Sequence, residues 1–237
     1  MGYPLPEGRV PLRPLRGEGE RSDDLPSGGT PQQEPKKRSK GATERDEFLR
    51  LLWRTQMGGI DPGRLVFVDE MGVHTSLAPL YAYAPLGERA FFEIPRNRGR
   101  NTVLLSSLYP EGMGPSMAVE GATTSKVFEA YVERLLAPSL RPGQVVVMDN
   151  LGAHKPKRVR ELIEGRGCEL VYLPAYSPDL NPIEEAFSKV KHVLRKIAAR
   201  TKEALVEAMG AALATVSAED ACGFFAHCGY HAPVQRL

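Results

Sequence analysis

Cysteine is scarce in this chain of 237 residues: there are three, an odd number, which argues against a disulfide framework. No apolar run is long enough to cross a bilayer as a helix, so no membrane partner is expected. The opening residues, Met1-Gly2-Tyr3-Pro4-Leu5-Pro6, lack the apolar core of a secretory signal, and a cytoplasmic location is expected. Net charge is nearly absent as well. With 31 basic and 29 acidic side chains the balance is +2, and the chain as a whole does not announce a polyanionic partner. Internal repeats are missing too. What remains is a hydrophobic fraction of 42% and a charged fraction of 25%, the composition of a soluble globular protein with room for one ordinary domain and extras.

Residues 1–40 are rich in Pro, Gly and charge (Pro4, Pro6, Pro11, Pro14, Pro26, Pro31, Pro35, then Lys36-Lys37-Arg38-Ser39-Lys40). Such a stretch cannot bury enough apolar surface to offset the entropy of ordering, so it reads as a disordered basic tail. Residues 41–62 read as a helical lead-in, with a helix over about 43–56 that packs through Phe48, Leu51, Leu52 and Trp53. Asp61-Pro62-Gly63 is a turn signal, and the main domain is expected over 63–232. Strands are expected at 65–68, at Phe91-Phe92, and over 102–108, 117–119, 145–148 and 169–173. Helices are expected over 125–136, 157–165, 182–200 and 202–216. Strands first, then alternating helices and strands, indicate an α/β fold with a mixed sheet flanked by helices on both faces.

Three carboxylates stand out. Asp69 ends the apolar run Leu65-Val66-Phe67-Val68, and Asp149 ends Val145-Val146-Val147-Met148. Glu184 opens the helix after Ser177-Pro178-Asp179-Leu180-Asn181-Pro182-Ile183. Two acids at strand ends and one on a helix can converge on one point, and converging carboxylates are hard oxygen ligands of the kind Mg²⁺ takes. A pair of such ions can clamp both the attacking and the leaving oxygen of a phosphodiester. Each acid has a plainer explanation: an Asp after an apolar run often just opens a turn. With Asn181 as N-cap and Pro182 as the first helical residue, Glu184 also falls at the capping-box position. Glu185 is the adjacent alternative, about 100° round the helix, so only one of the two can face the metals.

The residues around these acids resemble the DDE transposases of the mariner superfamily, most closely the bacterial insertion-sequence branch. The resemblance rests on Val68-Asp69-Glu70, on Met148-Asp149-Asn150, and on Tyr176 through Glu184. It also rests on the 34 residues between Asp149 and Glu184 and on the ending Phe225-Ala226-His227-Cys228-Gly229-Tyr230. It implies a ribonuclease-H-like (retroviral-integrase-like) fold, with Asp69, Asp149 and Glu184 as the catalytic, metal-binding triad. It implies cleavage and transfer of DNA strands with two Mg²⁺ ions, Mn²⁺ substituting, and double-stranded DNA (element ends and target) as partner. By analogy a dimer assembles on DNA. Relatives carry N-terminal helix-turn-helix units, which 1–40 does not suggest, so a partner frame supplying them is expected, or else a truncated copy. Alternatives are an inactive DNA-binding remnant and a ribonuclease-H-like nuclease that cuts without joining.

Basic residues cluster near each acid. Arg96, Arg98 and Arg100 alternate in one loop; Lys155, Lys157, Arg158 and Arg160 follow Asp149; Lys189, Lys191, Arg195, Lys196 and Arg200 follow Glu184. A positive rim around an acidic centre suits a polyanion. Arg96, Arg98, Arg100, His154, Lys155, Lys191 and Arg195 are the candidate DNA contacts, against the simpler reading of solvated faces and a bystander histidine. On the long helix, Ile183, Phe187, Val190, Leu194 and Ile197 form the inward stripe, and Glu184, Ser188, Lys191 and Arg195 the stripe beside it. Cys222, His227, Cys228 and His231 cluster, but their spacing fits no usual zinc pattern, and a packed helix end is expected there.

Overall fold

The computed structural model describes residues 43–79, 81, 83–91, 93–97, 101–150 and 156–231. Five strands form one sheet: β1 (Leu65–Val73), β2 (Thr102–Tyr109), β3 (Gly112–Glu120), β4 (Val145–Met148) and β5 (Glu169–Tyr172). Their order across the sheet is β3-β2-β1-β4-β5. The β1–β2 and β2–β3 pairs are antiparallel, and β1–β4 and β4–β5 are parallel. The expected mixed sheet is therefore present, with β1 at its centre.

Helices cover both faces. On one side lie α2 (Ser125–Tyr131), continued by a π turn (Val132–Leu136) into α3 (Ala137–Ser139), and α4 (Lys157–Glu164). On the other lie α1 (Glu47–Met57), α5 (Pro182–Ile197), α6 (Lys202–Leu213) and α7 (Ala218–His227). Strand side chains alternate faces with a period of two. Val66, Val68, Val146 and Met148 pack with Phe128, Tyr131 and Ile163 on the first side. Leu65, Phe67, Met71, Val73, Val145 and Val147 pack with Ile183, Phe187, Val190 and Phe225 on the second. Buried on both faces, β1 and β4 need the unbroken apolar runs they have.

Several elements differ from the sequence expectation. β1 does not stop at Val68 but continues to Val73, because β2 stays paired with it through Val73↔Thr102. β3 is likewise longer than 117–119. No strand forms at Phe91, which is exposed coil, and Phe92 lies outside the described residues. Between β1 and β2 the chain makes an excursion whose neck is closed: Ser76 Oγ donates to the Pro95 carbonyl at 2.7 Å. Arg200 Nη1 donates to the carbonyls of Thr75 and Leu77 at 2.8 and 2.9 Å. On α5 the inward stripe holds except for Ile197, which is 46% exposed where Ala198 turns left-handed (φ 53°) and ends the helix.

The lead-in helix forms, capped by Asp46, but it is rotated from the expected face. Phe48, Leu51 and Leu52 point outward, and the buried residues are Arg50, Trp53 and Met57. The cause is a buried guanidinium. Arg50 donates through Nη1 and Nη2 to both oxygens of Asp179, at 3.0 and 2.6 Å, while Asp179 stays 46% exposed. Arg45 and Arg54 add longer ion pairs to the same carboxylate, at 3.6 and 3.7 Å. Two-pronged pairing of this kind carries geometric specificity as well as energy. Trp53 Nε1 donates to the Tyr230 hydroxyl at 3.0 Å, and Tyr230 donates in turn to the Leu180 carbonyl at 2.7 Å.

The ion pair is asymmetric, and so should be the cost of breaking it. Asp179→Ala leaves a buried guanidinium with only the exposed Glu47 beside it and should cost about 3 kcal/mol. Arg50→Met leaves a carboxylate that water can reach and should cost about 1–2 kcal/mol. Urea unfolding at neutral pH checks the order. Hydrogen bonds from Arg50 hold the Asp179 carboxyl below its usual range. That stabilisation is fully present above the ordinary carboxylate pKa of about 4 and fades as pH falls through the lowered folded value. The same measurement at acid pH should show a shallower decline in Arg50→Met than in the wild type.

Candidate active site

The alternation of the sheet decides where the acids point. Asp69 follows Leu65 and Phe67 on the α5 side of β1, and Asp149, one residue beyond β4, follows Val145 and Val147 on that same side. The parallel register pairs Leu65 with Val145 and Val68 with Met148. Continued by one residue, it sets Asp69 beside Asp149. α5 lies across this face with Glu184 in its first turn. All three line one cavity of about 360 Å³, together with Asn150, Asn181 and the segment 173–178. Asp69 is not at a strand end, as the sequence suggested; it lies mid-strand opposite Ser106. What ends there is β4, and that ending opens the cavity.

The surroundings of the three acids differ. Asp69 is 6% exposed. Its Oδ1 accepts from the Glu70 backbone N–H at 2.7 Å, and its Oδ2 from Asn181 Nδ2 at 2.8 Å. Asp149 is half-buried, and Glu184 is exposed. Glu184 does not close a capping box: the Asn181 side chain makes no cap bond and is turned to Asp69 instead. The chain does form a capping box elsewhere, between Ser217 and Asp220 at the start of α7. Asn181, expected only as a cap, is thus a site residue, and no local signal distinguishes the two roles. Tyr176, also in the cavity wall, is 57% exposed and held at φ 56°, a left-handed conformation costly for a tyrosine.

Glu185 is engaged elsewhere. Its Oε1 meets His227 Nδ1 of α7, and Cys228 Sγ lies 3.9 Å away. Glu184, not Glu185, therefore faces the cavity. Of the C-terminal cysteine–histidine cluster, Cys228 is buried, which pushes its thiol up to about 12, while Cys222 is exposed with Sγ 3.6 Å from the Pro110 carbonyl. Phe225 and Tyr230 pack on Phe67 at ring separations of 5.3 and 5.0 Å, fixing the chain end to β1.

Several basic residues near the acids have partners of their own. Lys157, Arg158 and Arg160 pair with Glu161, Glu133 and Glu164, and Arg160 also stacks over Tyr172 at 5.9 Å. Lys189 pairs with Asp220, and Arg200 is spent on backbone carbonyls. Arg96 is exposed, and Lys191 and Arg195 are half-buried on α5. None of these three lines the cavity. Arg98, Arg100, His154 and Lys155 lie outside the described residues.

The profile of the DDE superfamily endonuclease matches residues 64–206, more than half of the chain and all three acids. The chain belongs to the DDE superfamily of endonucleases. Among solved structures, this DDE domain is similar to the Mos1 transposase paired-end complex with the left transposon end (TM-score 0.66, 18% identity, 85% of this chain and 64% of that one). It is similar to the mariner Mos1 paired-end complex with Mg (TM-score 0.65, 17% identity, 84% and 64%). A third match is the Mos1 transposase catalytic domain with Raltegravir and Mg (TM-score 0.57, 19% identity, 77% and 87%). The fold is the ribonuclease-H-like fold of that catalytic domain. The DDE chain spans 64% of the length of the Mos1 chains in the paired-end complexes. No protein of curated function matches the sequence.

The donor set facing the cavity is oxygen only, which suits hard cations. Among the described residues no three acidic, histidine or cysteine side chains are gathered closely enough to cage one ion. Mg²⁺ does not need such a cage, since it binds through one or two carboxylates and completes its shell with water and substrate phosphate.

The Glu185–His227 contact is directly checkable. Hydrogen bonding to Glu185 raises His227 above the ordinary histidine value. In an NMR titration His227 should titrate above about 6.5, and Glu185→Gln should bring it back to that ordinary value.

Proposed function

We propose that this chain is the catalytic domain of a mariner-type transposase, with Asp69, Asp149 and Glu184 as its metal-binding triad. The observation that carries the reading is the convergence of Asp69 on β1, Asp149 just after β4 and Glu184 on α5 on a single cavity, in a chain of the DDE superfamily. Asp69 and Asp149 would share one ion, and Glu184 would complete the site of the second. Bound there, two Mg²⁺ ions supply the Lewis acidity for in-line displacement at phosphorus, with Mn²⁺ as a substitute. The protein's part is to fix the carboxylates: Asp69 stands on β1, Asp149 is the first residue after β4, and Glu184 lies on the first turn of α5. No covalent enzyme intermediate is required, so one site serves both strand cleavage and strand joining.

The partner is double-stranded DNA, as element ends and target. The relatives' complexes on paired transposon ends support this and favour a dimer on DNA. A partner frame carrying helix-turn-helix units would supply recognition of the element ends. Lys191 and Arg195 continue the Glu184 stripe along α5 and would hold DNA phosphates beyond the cavity.

Strand transfer with a short duplex bearing the element end tests the reading. In Mg²⁺ or Mn²⁺ the wild type joins strands, and Asp69→Ala, Asp149→Ala and Glu184→Ala each lower the rate by roughly 10²-fold or more. Cleavage without joining would replace the reading with a nuclease, and neither reaction from a folded wild type would point to the inactive remnant. Lys191→Ala combined with Arg195→Ala should reduce the slope of log affinity against log salt by roughly two, measured by fluorescence anisotropy.

A further inference from the structure

We infer that Asn181 is the positioning residue of Asp69, and that the lead-in helix α1 sets Asn181 in place. The inference rests on the reading of Asp69 as a metal-binding carboxylate. A carboxylate can only accept, so the amide nitrogen of Asn181 must be the atom that faces Asp69 Oδ2, at 2.8 Å. The Glu70 N–H holds the other oxygen at 2.7 Å. With a fixed donor on each oxygen, the plane of the carboxylate is set before any ion arrives. Partners of this kind behind a ligand orient it and tune its affinity.

Asn181 is 4% exposed, and its Oδ1 is buried with no hydrogen-bond partner among the described residues. An unmet buried acceptor is a stability cost. A position that served packing alone would be better filled by an apolar side chain of similar size. The amide is therefore kept for its N–H, and what the N–H touches is Asp69.

Asn181 is in turn held through the two residues before it. Arg50 of α1 grips Asp179 with two hydrogen bonds. The Tyr230 hydroxyl, bonded by Trp53 of α1, donates to the Leu180 carbonyl. The Asn181 backbone N–H closes the turn on the Pro178 carbonyl at 3.0 Å. A helix outside the sheet thus reaches a sheet carboxylate by way of the turn that opens α5.

Mn²⁺ binding to the full chain, followed by electron paramagnetic resonance, tests this alongside melting of the metal-free protein. Asn181→Leu is close in size, and it removes both the donor and the unmet acceptor. Its metal-free melting temperature should stay near that of the wild type, because losing the donor to the buried Asp69 Oδ2 offsets the relief of the unmet acceptor, while Mn²⁺ affinity falls about tenfold or more. Tyr230→Phe, which releases Leu180, should weaken Mn²⁺ in the same direction. Unchanged Mn²⁺ affinity in Asn181→Leu, with Asp149→Asn abolishing binding, would overturn the positioning role and leave the metal reading standing. Unchanged affinity in Tyr230→Phe alone would remove α1 from it. Should Asn181→Leu fail to fold, Asn181→Ser, too short to reach Asp69, gives the same decision. A wild type that binds no Mn²⁺, or an Asp149→Asn variant that binds as the wild type does, would overturn the metal reading and the positioning role with it.

Discussion

The parallel pairing of β1 with β4 governs everything at this site. One register, Leu65 to Val145 through Val68 to Met148, brings two carboxylates side by side on one face of the sheet. Because strand side chains alternate, a slip of a single residue would turn one of them to the α2 and α4 side. The slip is prevented by burial on both faces: Val66 and Val68 pack one way, Leu65 and Phe67 the other, all at 1% exposure or less. Core packing and site geometry are therefore one constraint. The apolar residues that look merely structural are what aim the acids.

α5 depends on the same face. Its buried stripe lies on the odd-numbered residues of β1 and β4, which places its N-terminal turn over the cavity. Electrostatics then sort the remaining charges. Among the described residues, Lys157, Arg158, Arg160 and Lys189 pair with acids and Arg200 with backbone carbonyls.

How much could be read from the chain itself follows from the range of each interaction. Apolar runs and helix stripes are local, and the central strands, the long helix and the three acids were legible from them. The extent of β1 was not, because its last residues, Asp69 to Val73, hold together by pairing with β2 and not by an apolar run. The face of α1 was misread for a similar reason. Phe48, Leu51 and Leu52 look like a core stripe, yet the helix turns Arg50 inward to meet Asp179, 129 residues away. Asn181 carries the local signature of a helix cap, while its side chain serves a carboxylate 112 residues earlier. Long-range polar pairs leave no periodicity to find.

The Arg50–Asp179 pair also bears on where this unit ends. The family profile begins at residue 64, after α1, as if the catalytic domain were complete from there. Physically it is not. Arg45, Arg50, Trp53 and Arg54 all precede that boundary, and each holds the turn before α5 or the tyrosine that braces it. A cut or a fusion at the profile boundary would strip Asp179 of its arginines and Tyr230 of its Trp53 donor. A junction that leaves the turn before α5 braced therefore lies upstream of Arg45, and the lead-in helix and the carboxylates form one mechanical unit.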